Sequence, residues 1–240
     1  MGMIDQSNLL YSWLCFDRAL ILQGQVWRLF TYVFTHNAGS ILLIVWNTFG
    51  MYDTLAETFR HAAFQVSSIM TTTGYATTDF NLFPAFSHVV LLLLMVVGAC
   101  AGSTGGGMKV SRLLIAFKGF MREIFTLIHP RQVKKITIDK KPVDREVVRS
   151  VNAYLACYIL VFATSLILIT VDNRDLVTNF TAVTATINNI GPGLAGVGPA
   201  SNYAAFSGFS KIVLTFNMIA GRLELFPMLI LFSPATWKRS

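Results

Sequence analysis

Gly98-Ala99-Cys100-Ala101-Gly102-Ser103-Thr104-Gly105-Gly106-Gly107-Met108-Lys109 interrupts an apolar run that begins near Pro84 and resumes through Phe117. From Phe80 to Met108 there is no Asp, Glu, Lys or Arg, so the run is long enough for a bilayer, which takes roughly 20 apolar residues. Five glycines lie in the interruption. Each costs about 1 kcal/mol in a helix interior relative to Ala, and unpaired backbone groups cannot face lipid. The stretch therefore reads as a membrane helix broken where protein or water covers it, beside a pore. A Gly-rich face for close helix packing is the alternative. A nucleotide-phosphate loop fits poorly, because Met108 precedes the lysine and Val110, not Ser or Thr, follows it.

Composition points the same way. Of 240 residues, 54% are hydrophobic and 13% charged, about half the charged share of a soluble domain. An all-α integral membrane protein is expected. Cys15, Cys100 and Cys157 lie far apart in apolar surroundings and read as small buried hydrophobes, with no metal spacing. The first 28 residues carry Asp5, Asp17, Arg18 and Arg28, which argues against a cleaved signal. Lys109 to Arg149 holds eleven basic and four acidic residues, the whole of the net +7. Such loops stay cytoplasmic, so the high pI needs no nucleic acid to explain it. The same patch could meet anionic lipid or an acidic protein.

The chain divides on this reading into four parts. Residues 1–28 form an interfacial segment of no assigned role. Residues 29–118 hold a first span (Leu29 to Tyr52, uncharged), a short re-entrant helix with a Thr-Gly turn, and the broken second span. Residues 119–149 are the basic cytoplasmic segment, in which Ile136 to Asp144 alternates as a small hairpin. Residues 150–240 hold another span (Ser150 to Val171, the cleanest in the chain), another short helix, a glycine turn and a last span from about Ser210 to Phe232. The plan thus repeats: 31 residues separate Gly74 from Gly105 and 30 separate Gly191 from Gly221. Internal symmetry of this kind points to a transport site at the repeat interface.

Thr71-Thr72-Thr73-Gly74-Tyr75 and Asn188-Asn189-Ile190-Gly191-Pro192-Gly193 end the two short helices. Backbone carbonyls in such turns can replace the hydration shell of a monovalent cation; an ordinary polar loop is the competing reading of the first. Arg222, in Gly221-Arg222-Leu223-Glu224, falls in the last span, where a charge costs about 2.5 to 3.5 kcal/mol on insertion scales and normally faces a cavity or partner. It is expected to reach the Gly-rich break, or else to pair with a carboxylate and hold helices together.

Phe64-Gln65-Val66-Ser67-Ser68 through Gly74, Cys100 to Lys109, Asn188 to Gly193 and Gly221 to Glu224 together resemble the Trk/Ktr/HKT superfamily of potassium transporters, bacterial Trk subunits in particular, over about residues 45 to 238. That family's subunit surrounds one pore with four membrane-pore-loop-membrane repeats, of which two fit here, the third and fourth. The resemblance implies a K+ filter at Thr72, Thr73, Gly74, Tyr75, Asn189, Ile190, Gly191 and Pro192, and a gate at Gly102, Gly105, Gly106, Gly107 and Arg222. It implies a K+ permease, passive or coupled, in the inner membrane, with K+ as cargo and no organic cofactor. Implied partners are lipid, a second copy or an N-terminal half-subunit, and a cytosolic nucleotide-sensing regulatory subunit on the basic face. An accessory or truncated subunit is the main alternative. An intramembrane hydrolase using Ser103 or Thr104 is a minor one, since His36, His61, His88 and His129 lie on separate segments; no enzyme is expected.

Overall fold

The structure, a computed structural model, describes residues 39–98, 106–129, 136–138 and 141–223. A short helix, α1, covers 39–47 and stops where the Thr48 hydroxyl donates to the Ile44 carbonyl at 2.7 Å and Gly50 turns at φ +86°. Helix α2 (Leu55–Met70) starts on Thr54, whose hydroxyl accepts from the Glu57 N–H, satisfying an orphan donor of the first turn. Thr58, His61, Ala62, Gln65, Val66 and Ile69 are buried, a spacing that makes one face of a helix. Helix α3 (Ala85–Val97) follows Pro84 and ends at Gly98, φ +67°. Helix α4 (Val110–Ile128) begins only after Lys109.

The expected break is therefore present: helix stops at Val97 and restarts at Val110, with 99–105 outside the described residues. The hairpin is present too, as β1 (Thr137–Ile138) antiparallel to β2 (Lys141–Pro142) with Thr137 opposite Pro142. Helix α5 (Arg145–Ile169) runs on through a 3-10 turn to Asp172 and, among the described residues, is the one helix long and apolar enough to span. This matches the span read from Ser150 to Val171. The span read from Leu29 differs, for its described part is helical only over 39–47. Helix α6 (Leu176–Ile187) is capped by Asp175, and α7 (Gly208–Leu223) carries the last described turns; the rest of the expected final span, Glu224 onward, lies outside them.

Helix α6 is central. It packs on α5, α7 and α3, and from Thr181 to Ile187 every residue is buried. The last three of its threonines remain tolerable because each hydroxyl finds a carbonyl: Thr181 to Val177, Thr184 to Phe180, Thr186 to Ala182, all at 2.7–2.8 Å. Ile41, Ile44, Val66, Ile69, Phe80 and Leu91 form one core that also takes in Ile190 and Leu194. Thus the first half of the chain packs directly on the turn after α6.

Two offsets relate the halves. A shift of 117 residues carries Thr72 (φ +54°) and Gly74 (φ +77°) onto Asn189 (φ +57°) and Gly191 (φ +103°). A shift of 123 carries the 3-10 turn Phe80–Leu82, with Asp79 capping Asn81 N–H, onto Tyr203–Ala205, with Asn202 capping Ala204 N–H. It also carries α3 onto α7, so that Gly221 corresponds to Gly98, where α3 ends, and not to Gly105 as the sequence spacing suggested. Six residues around the 3-10 turn Ala195–Val197 make up the difference.

Candidate functional site

Both short helices end in the same turn. After α2, Thr72 N–H donates to Ile69 O and Thr73 N–H to Ser68 O; after α6, Asn189 N–H donates to Thr186 O and Ile190 N–H to Ala185 O. Each pair tightens the helix end and lets the chain leave the helix along 73–75 and 190–192, the two filter strands of the sequence reading. The negative ends of two helix dipoles thereby point at these turns, a setting that favours a cation. The first strand is tied back by the Ser68 hydroxyl to Tyr75 O (2.6 Å) and Gln65 Nε2 to Thr78 O (3.2 Å). Just past the second strand, Leu194 N–H donates to Thr181 Oγ1 of α6 at 3.0 Å and Gly196 N–H to Thr178 Oγ1 at 2.9 Å.

The structure brings the two strands together. A Cβ on Gly74 would stand 2.1 Å from the Ile190 carbonyl oxygen and 3.1 Å from Pro192 Cδ. Only glycine allows that approach. At Gly191 the corresponding direction is open, with nothing within 4 Å. Of the predicted filter residues, Ile190 is buried, Thr72, Gly74, Asn189, Gly191 and Pro192 are half-buried, and Thr73 and Tyr75 are exposed.

Beneath the second strand lies the end of the Gly-rich stretch. A Cβ on Gly106 would meet Asn188 O at 2.5 Å, and one on Gly107 would meet Asn188 Oδ1 at 3.3 Å. Gly221 of α7 also presses on this turn, where a Cβ would come within 1.9 Å of Ile187 O and 2.7 Å of Asn189 Nδ2. Asn188 itself is fully buried, its Oδ1 accepting from the Tyr158 hydroxyl at 3.0 Å and its Nδ2 donating to Thr184 O at 2.9 Å. Just past the break, the Arg112 guanidinium stacks 4.0 Å over the Tyr154 ring.

Of the predicted gate, Gly106 and Gly107 do touch the second strand, while Gly102 and Gly105 lie outside the described residues. Arg222 sits one residue beyond Gly221 in the last turn of α7 with an exposed side chain. Three residues at the site went unassigned by sequence reasoning: Asn188, Tyr158 and Tyr203, whose hydroxyl donates to Gly191 O at 2.6 Å. The 123-residue offset, which sets Tyr203 over Phe80, is the signal that could have exposed the last. The described histidines have structural partners: His61 Nδ1 bonds Thr77 and its ring stacks on Tyr52, His88 bonds Phe80 O, and His129 stacks on Phe125.

A family model described as "TrkH: Cation transport protein" matches residues 17–239. The chain belongs to the TrkH family. This TrkH-family chain is 39% identical over 196 residues to the Trk system potassium uptake protein TrkH of Salmonella typhimurium, covering 82% of the chain and 40% of that relative. Against the TrkH of Halomonas elongata it is 40% identical over 188 residues, 78% of the chain and 38% of the relative. The crystal structure of the potassium transporter TrkH from Vibrio parahaemolyticus superimposes with a TM-score of 0.77 at 36% identity, over 87% of the chain and 45% of that structure. The fold is thus that of a helical membrane transporter, and the chain spans about two fifths of the length of the curated relatives it matches.

Proposed function

We propose that this chain forms half the wall of a K+ uptake pore. The observation that carries the reading is the contact of Gly74 with the Ile190 carbonyl, which sets two carbonyl-rich turns side by side at the ends of two helices. Thr72 to Tyr75 and Asn189 to Pro192 line the ion's path with backbone oxygens, in the manner of filters that substitute for hydration water. K+ is the cargo and no organic cofactor is needed; similarity to potassium uptake proteins supports this choice of ion. Gly102 to Gly107, with Arg222, form the gate below, supported by the packing of Gly106 and Gly107 under Asn188.

The open side of Gly191 favours a chain completed by others, either a second copy or an N-terminal half-subunit bringing further filter strands. We assign the chain to the inner membrane with the 109–149 segment and the C-terminus inside. The basic α4-hairpin face is the dock for a cytosolic nucleotide-sensing subunit. The fourfold division at residues 28, 118 and 149 belongs to the same proposal.

Growth rescue in a bacterium lacking its K+ uptake systems, at limiting K+ and with membrane expression verified, tests it. Rescue by the chain alone means that copies complete a pore; rescue only with a supplied N-terminal half means a split subunit. Failure of both sinks the transport reading in favour of an accessory role.

A further inference from the structure

The two filter turns share backbone geometry but not their support. Tyr203 donates its hydroxyl to the carbonyl of Gly191 at 2.6 Å, the glycine whose φ of +103° sets the turn. The 123-residue offset places Phe80 at the same point of the other half, and a phenylalanine has no hydroxyl to give. Tyr203 is well placed to hold its geometry. Its ring stacks on Phe206 with centroids 6.0 Å apart and packs against the cluster of Ile169, Val183 and Val197. Asn202 caps its 3-10 turn, and Lys211 Nζ donates to Ala204 O at 3.1 Å.

On the reading that 189–192 is an ion filter, we infer that Tyr203 is a selectivity-positioning residue of the second strand. A carbonyl oxygen has two lone pairs. The phenol occupies one, fixes the plane of the 191–192 peptide, and withdraws electron density from the oxygen. An oxygen of weaker field loses more attraction for a small cation than for a large one, since Coulomb energy falls with distance. Selectivity among monovalent cations follows ligand number and field strength on one account and cavity fit on the other. Tyr203 acts in the same direction on both: it weakens the field and it stiffens the strand. The filter is accordingly asymmetric: the Tyr203 hydroxyl holds the carbonyl of Gly191 itself, whereas in the first strand the Ser68 hydroxyl holds the carbonyl of Tyr75, one residue past the glycine.

The test is Tyr203→Phe, which keeps the ring and removes the hydroxyl. K+, Rb+ and Na+ uptake are measured in rescued cells, with the N-terminal half supplied if rescue needs it, and stabilisation of the purified membrane protein by each cation is measured in detergent. The expected result is a several-fold fall in K+ over Na+ preference in both assays. A structural defect alone would lower all fluxes in proportion and leave the ratio intact. An unchanged ratio with a K+-selective parent overturns the inference and leaves the transport reading standing. A parent with neither cation uptake nor cation-dependent stabilisation overturns both.

Discussion

The side chain of Asn81 grips the backbone of Ala195 from both sides, its Oδ1 accepting the Ala195 N–H at 2.9 Å and its Nδ2 donating to the Ala195 carbonyl at 3.3 Å. The two residues are 114 positions apart. Gly198 makes room for the amide, since a Cβ there would fall 1.9 Å from Nδ2. This clasp joins the 3-10 turn Phe80–Leu82 of one half to the loop that follows α6 in the other.

Asn81→Ala removes both bonds. Net worth of a hydrogen bond is about 0.5 to 1.5 kcal/mol, and the clasp is solvent-exposed, so a loss of about 1 kcal/mol is expected. A lower melting temperature in detergent checks it, and Asn81→Asp, which keeps the acceptor, should fall between.

Gly74→Ala and Gly191→Ala should differ. Both force a side chain into the left-handed region, at a cost of about 1 to 2 kcal/mol, but only at Gly74 does the new methyl run into a carbonyl, that of Ile190. Gly74→Ala is expected to be the more destabilising and to reduce K+ over Na+ discrimination more; parallel melting and uptake measurements decide, with equal effects counting against the strand contact.

Tyr158→Phe leaves Asn188 Oδ1 without its donor inside a buried site. An unsatisfied buried acceptor costs about 1 to 3 kcal/mol. A drop in melting temperature is the expected outcome, and wild-type stability would mean that the bond carries no weight.

Asp175, at the start of α6, has its carboxyl held below the usual range by hydrogen bonds from the Thr178 side chain and backbone. A depressed carboxylate stabilises the fold above its unfolded value of about 3.9, and the contribution disappears as pH falls below that through the folded value. Melting temperature should therefore be insensitive to this group from neutral pH down to about 4 and decline beneath it. Asp175→Asn, which can still cap, should flatten that acid limb.

Arg222→Gln should raise basal K+ flux if the guanidinium obstructs the path below the filter. Flux unchanged, with expression and melting intact, would assign Arg222 to helix packing.

How far the sequence could be read depended on the range of the interaction. The two ends of the break, the span read from Ser150 to Val171 and the hairpin were legible because glycine runs, uninterrupted apolar length and alternation are local signals. The matching of Gly221 was misread by seven positions, since nothing in a string of apolar residues marks where α3 ends; Gly98 at φ +67° does. Asn188 and Tyr158 were passed over because their bond joins residues 30 apart on different helices. Tyr203 was hidden by the six-residue lengthening that shifts the offset from 117 to 123.

The break between α3 and α4 is also a mechanical joint. Gly98, Gly107 and Lys109 all sit at positive φ, so the described backbone at each end of it is non-helical. Below the joint, α4 is lashed to the hairpin and to α5 through Ile115, Ile136, Val148 and Val151, with Lys118 holding Thr137 O. Within it, Gly106 and Gly107 bear on Asn188. Gly98, at the end of α3, packs against the same Gly106 and Gly107, so the end of α3, the approach to α4 and the turn after α6 meet at one glycine contact, and none of the three can shift without the other two.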